Sequence, residues 1–201
     1  MPTTNSITGP VTTPLAIDAT GRVRFTREHY DRMIAAGVVA KEDRVELLDG
    51  ELAAVSPIGP RHASILDRLT EFFVAATAGR YTCRVQGPLA LSDVSEPEPD
   101  LMVLKRSPDG YGAAHPQPAD VLLLIEVAQS SSARDFGQKR DLYAAAGIVE
   151  YWIVDVETQR VVVHRLPQSG TYDDVSEWSA PQQVAADGLP GAVLDLSGLF
   201  A

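Results

Sequence analysis

The sequence predicts an α/β fold: a central mixed β-sheet flanked by helices, with an N-terminal helix and a β-hairpin ahead of it. Three observations carry this. The run "VLLLIEVA" at 121–128 is too apolar for a half-exposed strand and has the composition of one covered on both faces. The stretches 25–39 and 61–79 repeat apolar residues at helical spacing. A third helical stretch, 131–147, joins the apolar strand to "EYWIVD" by a crossover long enough for parallel pairing. Strands and helices that alternate in this way pack as layers around one core.

Residues 1–24, rich in Thr and Pro, read as a loosely draped arm, and 25–201 as a single domain. In "FTREHYDRMIAAGVV" Thr26 caps a short helix that Gly37 stops. "RVELLDGELAAVSP" then changes period, and Asp49-Gly50 between two short runs signals a hairpin. "RHASILDRLTEFFVAATAG" sets Ile65, Leu66, Leu69, Phe72, Phe73 and Ala76 on one stripe of a helix that ends near Gly79. "YTCRVQ" and "DLMVLK" read as strands, and 106–120 as a Pro/Gly loop. After the apolar strand, "SSARDFGQKRDLYAAAG" reads as a helix capped by Ser131 or Ser132 and ended by Gly147. "EYWIVD", the turn "VETQ" and "RVVVHRL" form a second hairpin, 167–190 reads as polar and irregular, and "AVLDLSGLF" adds a last short strand.

Composition narrows the function. The 201 residues, 45% hydrophobic, suffice for one buried core. No apolar run approaches the ~18 residues of a membrane span and the N-terminus lacks the pattern of a signal peptide, so a cytoplasmic location is expected. The single Cys83 forms no internal disulfide and reads as a small buried apolar residue. Seventeen basic against 27 acidic residues, net −10, exclude a general nucleic-acid coat protein. A compact site acting on nucleic acid stays open, because Arg61, Arg68, Arg80, Arg84, Lys105, Arg106, Arg134, Lys139 and Arg140 fall within one stretch of chain. No G-x-S-x-G elbow, P-loop or dinucleotide glycine pattern occurs.

The informative places are those where an acid abuts an apolar run. Asp100 opens "DLMVLK" and Glu126 closes the most apolar strand. An ionised Glu126 is costly to bury without a cation. Two carboxylates converging from neighbouring strands are what a hard divalent cation requires. The plainer reading is that both acids cap turns or pair with surface arginines.

The blocks "RVELLDGELAAVSPIGPRHASIL", "QGPLALSDVSEPEPDLMVL" and "LLIEVAQSSSARDFGQKRDLYAAAGIVEYWIVD" resemble, in this order, the family named "putative restriction endonuclease", formerly a domain of unknown function, within the PD-(D/E)XK nuclease superfamily. The resemblance spans roughly 25–165 and implies a restriction-endonuclease-like core. It also implies a Mg2+-dependent endonuclease, with Mn2+ able to substitute, that hydrolyses DNA phosphodiester bonds. On this resemblance Asp100 of "PD" and Glu126 are metal ligands and catalytic residues, and Glu46 of "RVELLDG" completes the metal shell. Local sequence leaves Glu46 equally open to a solvent-facing place in the hairpin.

The superfamily pattern places a lysine two residues after the glutamate, on the same face of the strand, and here stands Ala128. Lys139 is the substitute: Asp135, Lys139 and Tyr143 lie near one helical stripe, and the helix follows the Glu126 strand directly. On local grounds Asp135 and Lys139 form an ordinary surface pair; the resemblance favours a catalytic Lys139, a migration the family is believed to use. His62 and Gln86 lie in the matching blocks, as a phosphate contact and as a support of a ligating carboxylate, and Asp135 joins them as a supporting candidate. Tyr143, Tyr151 and Trp152 read as core aromatics; His29, His115 and His164 lack ligand spacing. Two other functions fit: a nuclease fold with decayed chemistry that binds nucleic acid or protein, and a homodimer held through the hairpin "EYWIVDVETQRVVVHRL".

Overall fold

The structure, a computed structural model, describes residues 13–129 and 132–201. They belong to two compact units, Met1–Ser56 with Leu91–Pro97, and Pro57–Ala90 with Glu98–Ala201. Residues 1–12 of the expected arm and the Ser131 cap lie outside the described residues.

In the first unit, β1 (Ala16–Ile17) and β2 (Val23–Arg24) pair antiparallel, so part of the expected arm is ordered chain. Asp18 organises the turn between them by accepting from the backbone N–H groups of Thr20 and Arg22. Helix α1 (Arg27–Ala35) has the expected Thr26 cap, closed by His29 in a capping box. Strands β3 (Val45–Leu48) and β4 (Glu51–Ala54) form the hairpin. Asp49 (φ 47) and Gly50 (φ 76) turn it left-handed, and a Cβ on Gly50 would stand 2.8 Å from that of Arg24.

The second unit is built on a six-stranded sheet ordered β10-β9-β8-β7-β6-β5. Its elements are α2 (Pro60–Thr77), β5 (Thr82–Val85), β6 (Leu101–Leu104), β7 (Val121–Ala128), a short α3 (Ser132–Arg134), a π turn (Asp135–Lys139), α4 (Arg140–Ala145), β8 (Glu150–Asp155), β9 (Arg160–Gln168) and β10 (Thr171–Trp178). β7 and β8 run parallel, as the crossover length allows, and the other neighbours antiparallel. The mixed sheet is thereby the one expected.

Alternation divides the sheet into two faces. Leu101, Val103, Leu123, Ile125, Val127, Trp152, Val154, Val161 and Val163 meet α2 and the C-terminal pair β11 (Gln183–Ala185) and β12 (Val193–Asp195) in the main core. Met102, Leu124, Glu126, Ala128, Tyr151, Ile153 and His164 alternate with them and point to the opposite side, where Tyr143 of α4 contacts Tyr151 ring to edge at 5.0 Å.

Three expectations meet the structure here. The segment 167–190 is not irregular: Ser169 and Gly170 make a two-residue turn at positive φ, and β10 pairs with β9 as an edge strand. Its outward acids Asp173, Asp174 and Glu177 obscure the strand pattern. The helix over 131–147 is not a uniform α-helix, because the π turn widens it around Gly137. The side chains of Tyr151, Trp152, Ile153, Val154, Val161, Val162 and Val163, which a hairpin-mediated homodimer needs outside, are buried within the chain.

Candidate active site

One residue beyond the last β6–β7 pair, Leu101 with Ile125, the antiparallel register sets Asp100 opposite Glu126. Two carboxylates therefore meet at the end of adjacent strands, near the start of α2 and beside the π turn.

Glu126 is 3% exposed, a place where an ionised carboxylate needs compensation. Lys139 Nζ donates to its Oε1 at 3.0 Å and Tyr143 Oη donates to the same oxygen at 2.8 Å. Oε2 faces Asp100, whose backbone N–H reaches it at 3.4 Å. Position 128, where the strand would present a lysine, holds buried Ala128. The ammonium comes from the helix instead, and Lys139 is itself only 6% exposed. The surface placement of Asp135 and Lys139 is thus corrected: both are buried, and Lys139 pairs with Glu126.

Asp100 is held by three groups. Its Oδ2 accepts from the Val127 N–H at 2.8 Å and from His62 Nε2 at 3.0 Å, and its Oδ1 accepts from Gln86 Nε2 at 3.3 Å. His62 comes from the first turn of α2, after Pro60. A carboxylate only accepts, which assigns the proton to Nε2; the buried Nδ1 has no hydrogen-bond partner among the described residues. Burial pushes Asp100 up, but the His62 hydrogen bond and charge, the Val127 N–H and Gln86 together hold it below the usual carboxylate value. Gln86 turns back to reach it at positive φ, and its own N–H donates to the Asp100 carbonyl at 3.0 Å.

Asp100 and Glu126 are the residues that could hold a Mg2+ ion. Each carboxylate takes its short donors on one oxygen and a long one on the other, 3.3 Å at Asp100 Oδ1 and 3.4 Å at Glu126 Oε2. Mg2+ is a hard ion usually bound through one or two carboxylates while it keeps several waters. Among the described residues, no three or more His, Cys, Asp or Glu gather as a metal cage. Glu46 sits on β3 of the first unit opposite Ala53, 1% exposed. A solvent-facing Glu46 is therefore corrected: Leu47 and Leu48 beside it are buried as well, so this strand is covered on both faces.

A family model described as "Uma2: Putative restriction endonuclease" matches residues 27–197. The chain belongs to the Uma2 family. The match takes in all seven residues singled out above: Glu46, His62, Gln86, Asp100, Glu126, Asp135 and Lys139. The crystal structure of a "putative nuclease belonging to DUF820 from Anabaena variabilis ATCC 29413" is 17% identical, covers 88% of this chain and 97% of that chain, and superposes with a TM-score of 0.71. At that identity the likeness shows a shared fold. No curated protein matches the chain. Family and fold together place the chain among nuclease-type proteins.

Tyr143 is not among those seven residues. As a core aromatic it is fully buried, yet its hydroxyl joins Lys139 on Glu126. The available signal was its spacing, four residues beyond Lys139 on the same stripe. Among the described residues, no helix is long and apolar enough to cross a membrane.

Proposed function

We propose that this protein is a Mg2+-dependent endonuclease that hydrolyses DNA phosphodiester bonds, with Mn2+ able to substitute. One observation carries the reading: Lys139, eleven residues beyond the place of the missing strand lysine, donates to Glu126 at 3.0 Å beside a second carboxylate. Asp100 and Glu126 would hold the cation. When bound, it supplies Lewis-acid polarisation of a phosphate oxygen and a water of lowered pKa. Val127 N–H, His62 and Gln86 keep Asp100 ionised and aimed. Lys139, held at Glu126, would orient a water or offset charge on the pentacovalent phosphorus.

Ala128 and the acidic charge are the arguments for the alternative, a nuclease fold with decayed chemistry. Against the first, the Lys139 ammonium stands beside Glu126, which supports an active site. The net charge of −10 bears on the whole surface and leaves the composition of one cleft open.

The test is Mn2+ titration of the wild type and Asp100→Ala, followed by plasmid nicking. Wild-type binding and nicking, both lost in Asp100→Ala, are expected. A wild type that neither binds Mn2+ nor nicks DNA rejects the proposal, and metal-independent DNA binding favours the decayed fold.

A further inference from the structure

The side of the sheet that carries Glu126 also carries a layer of buried aromatic groups, Tyr143, Tyr151, His164 and Tyr172, drawn from α4, β8, β9 and β10. A buried tyrosine hydroxyl ordinarily finds a partner, and which partner it finds separates these three tyrosines. Tyr172 donates to the Ile148 carbonyl, remote from the two carboxylates in sequence and role. Tyr143 donates to Glu126 Oε1 at 2.8 Å and Tyr151 to the Asp135 carbonyl at 3.1 Å.

Building on the metal-site reading of Asp100 and Glu126, we propose that Tyr143 and Tyr151 are positioning residues with separate tasks: Tyr143 fixes the Glu126 carboxylate, and Tyr151 anchors the turn that delivers Lys139. Two donors on one oxygen fix the plane of the carboxylate, because rotating it about the Cγ–Cδ bond out of that plane breaks both bonds and turns the other oxygen away from the Asp100 N–H. Tyr143 keeps this hold when Lys139 turns toward a phosphate. The π turn is the rarer conformation and needs tertiary support. Asp135 begins it, Lys139 ends it, and the Tyr151 hydroxyl ties its first carbonyl to β8. β8 pairs in parallel with β7, Glu126 beside Ile153, so carboxylate and turn share one frame.

The test uses Tyr143→Phe and Tyr151→Phe, each of which removes one oxygen from a full-length chain, with near-UV circular dichroism to check packing. Mn2+ binding to the protein without DNA and steady-state nicking at saturating Mn2+ are measured for both. Tyr143→Phe is expected to weaken Mn2+ binding roughly tenfold and to regain most of kcat at saturation. Tyr151→Phe is expected to leave Mn2+ binding within about twofold and lower kcat roughly tenfold at unchanged KM for plasmid. A purely structural role moves both measurements together, or neither, and either outcome overturns the proposal. A wild type that binds no Mn2+ overturns the metal-site reading along with it, whereas wild-type binding that Tyr143→Phe leaves unchanged overturns this proposal alone.

Discussion

Two buried glutamates on adjacent strands of one sheet are treated in opposite ways. Glu150 opens β8 and Glu126 nears the end of β7; because these strands run parallel, the two acids mark opposite ends of the sheet. Glu150 is 2% exposed and closed off: its Oε1 accepts from Arg165 Nη2 at 2.6 Å, Arg165 Nε at 3.1 Å and Trp152 Nε1 at 2.8 Å, and its Oε2 from the Asp187 N–H at 2.9 Å. Arg165 is its direct cross-strand partner on β9. Glu126 accepts from the Lys139 ammonium and the Tyr143 hydroxyl on one oxygen, and its second oxygen faces another acid across the strands. Burial and a counter-ion are common to both sites. An acid's N–H meets the second oxygen in both, but the Asp187 carboxylate is exposed and pairs with Arg165, whereas that of Asp100 is largely buried and held by His62, Gln86 and the Val127 N–H. This, and a point charge in place of a guanidinium fork, distinguish the candidate active site from a structural ion pair.

Replacing each acid sharpens that contrast. Glu150→Ala leaves Arg165 with only the exposed Asp187 carboxylate and the Ala185 carbonyl, and is expected to cost about 2–3 kcal/mol in urea unfolding, with nicking per folded molecule unchanged. Glu126→Gln keeps an oxygen for Lys139 and Tyr143; its stability loss is expected at roughly 1 kcal/mol, while Mn2+ binding and nicking collapse. If the two substitutions destabilise equally and both spare nicking, the contrast is empty.

The smallest effect concerns His164, beside Arg165 in sequence and on the aromatic side of the sheet. Burial, with Arg140 adding to it, holds its imidazole below the ordinary value of 6.5. A depressed folded value means that protonation favours unfolding: the stability is complete above 6.5 and falls away as pH drops through the lowered folded value. Wild type is therefore expected to lose stability relative to His164→Phe as urea unfolding is repeated from about pH 7.5 to about pH 5. Parallel curves would mean that His164 is not held neutral.

Period and turn chemistry made most of the fold legible. The Thr26 cap, the Asp49-Gly50 turn, the stripe of α2 and the doubly covered β7 are local signals, and each is where its residues placed it. β10 was not legible, because an edge strand with acids facing solvent lacks apolar alternation, although Ser169-Gly170 offered the turn. The π turn leaves no trace in spacing: Asp135, Lys139 and Tyr143 repeat every four residues as on an α-helix, and only tertiary contact widens the turn. Glu126 and Glu150 both abut an apolar run, so that signature alone does not separate the candidate ligand from the structural acid. Its partner could have been found, since a hairpin closed by Asp155 and Arg160 aligns Glu150 with Arg165. Lys139 was reachable only as one of two local readings, and the family resemblance chose between them.

The most direct measurement is plasmid nicking by Lys139→Ala, with Mn2+ binding determined on the same preparation. Removing an ammonium from beside two metal ligands should leave Mn2+ binding at least as tight as in wild type, while nicking falls roughly a hundredfold or more. Wild-type nicking rates in Lys139→Ala would contradict the relocation of the catalytic cation from strand to helix.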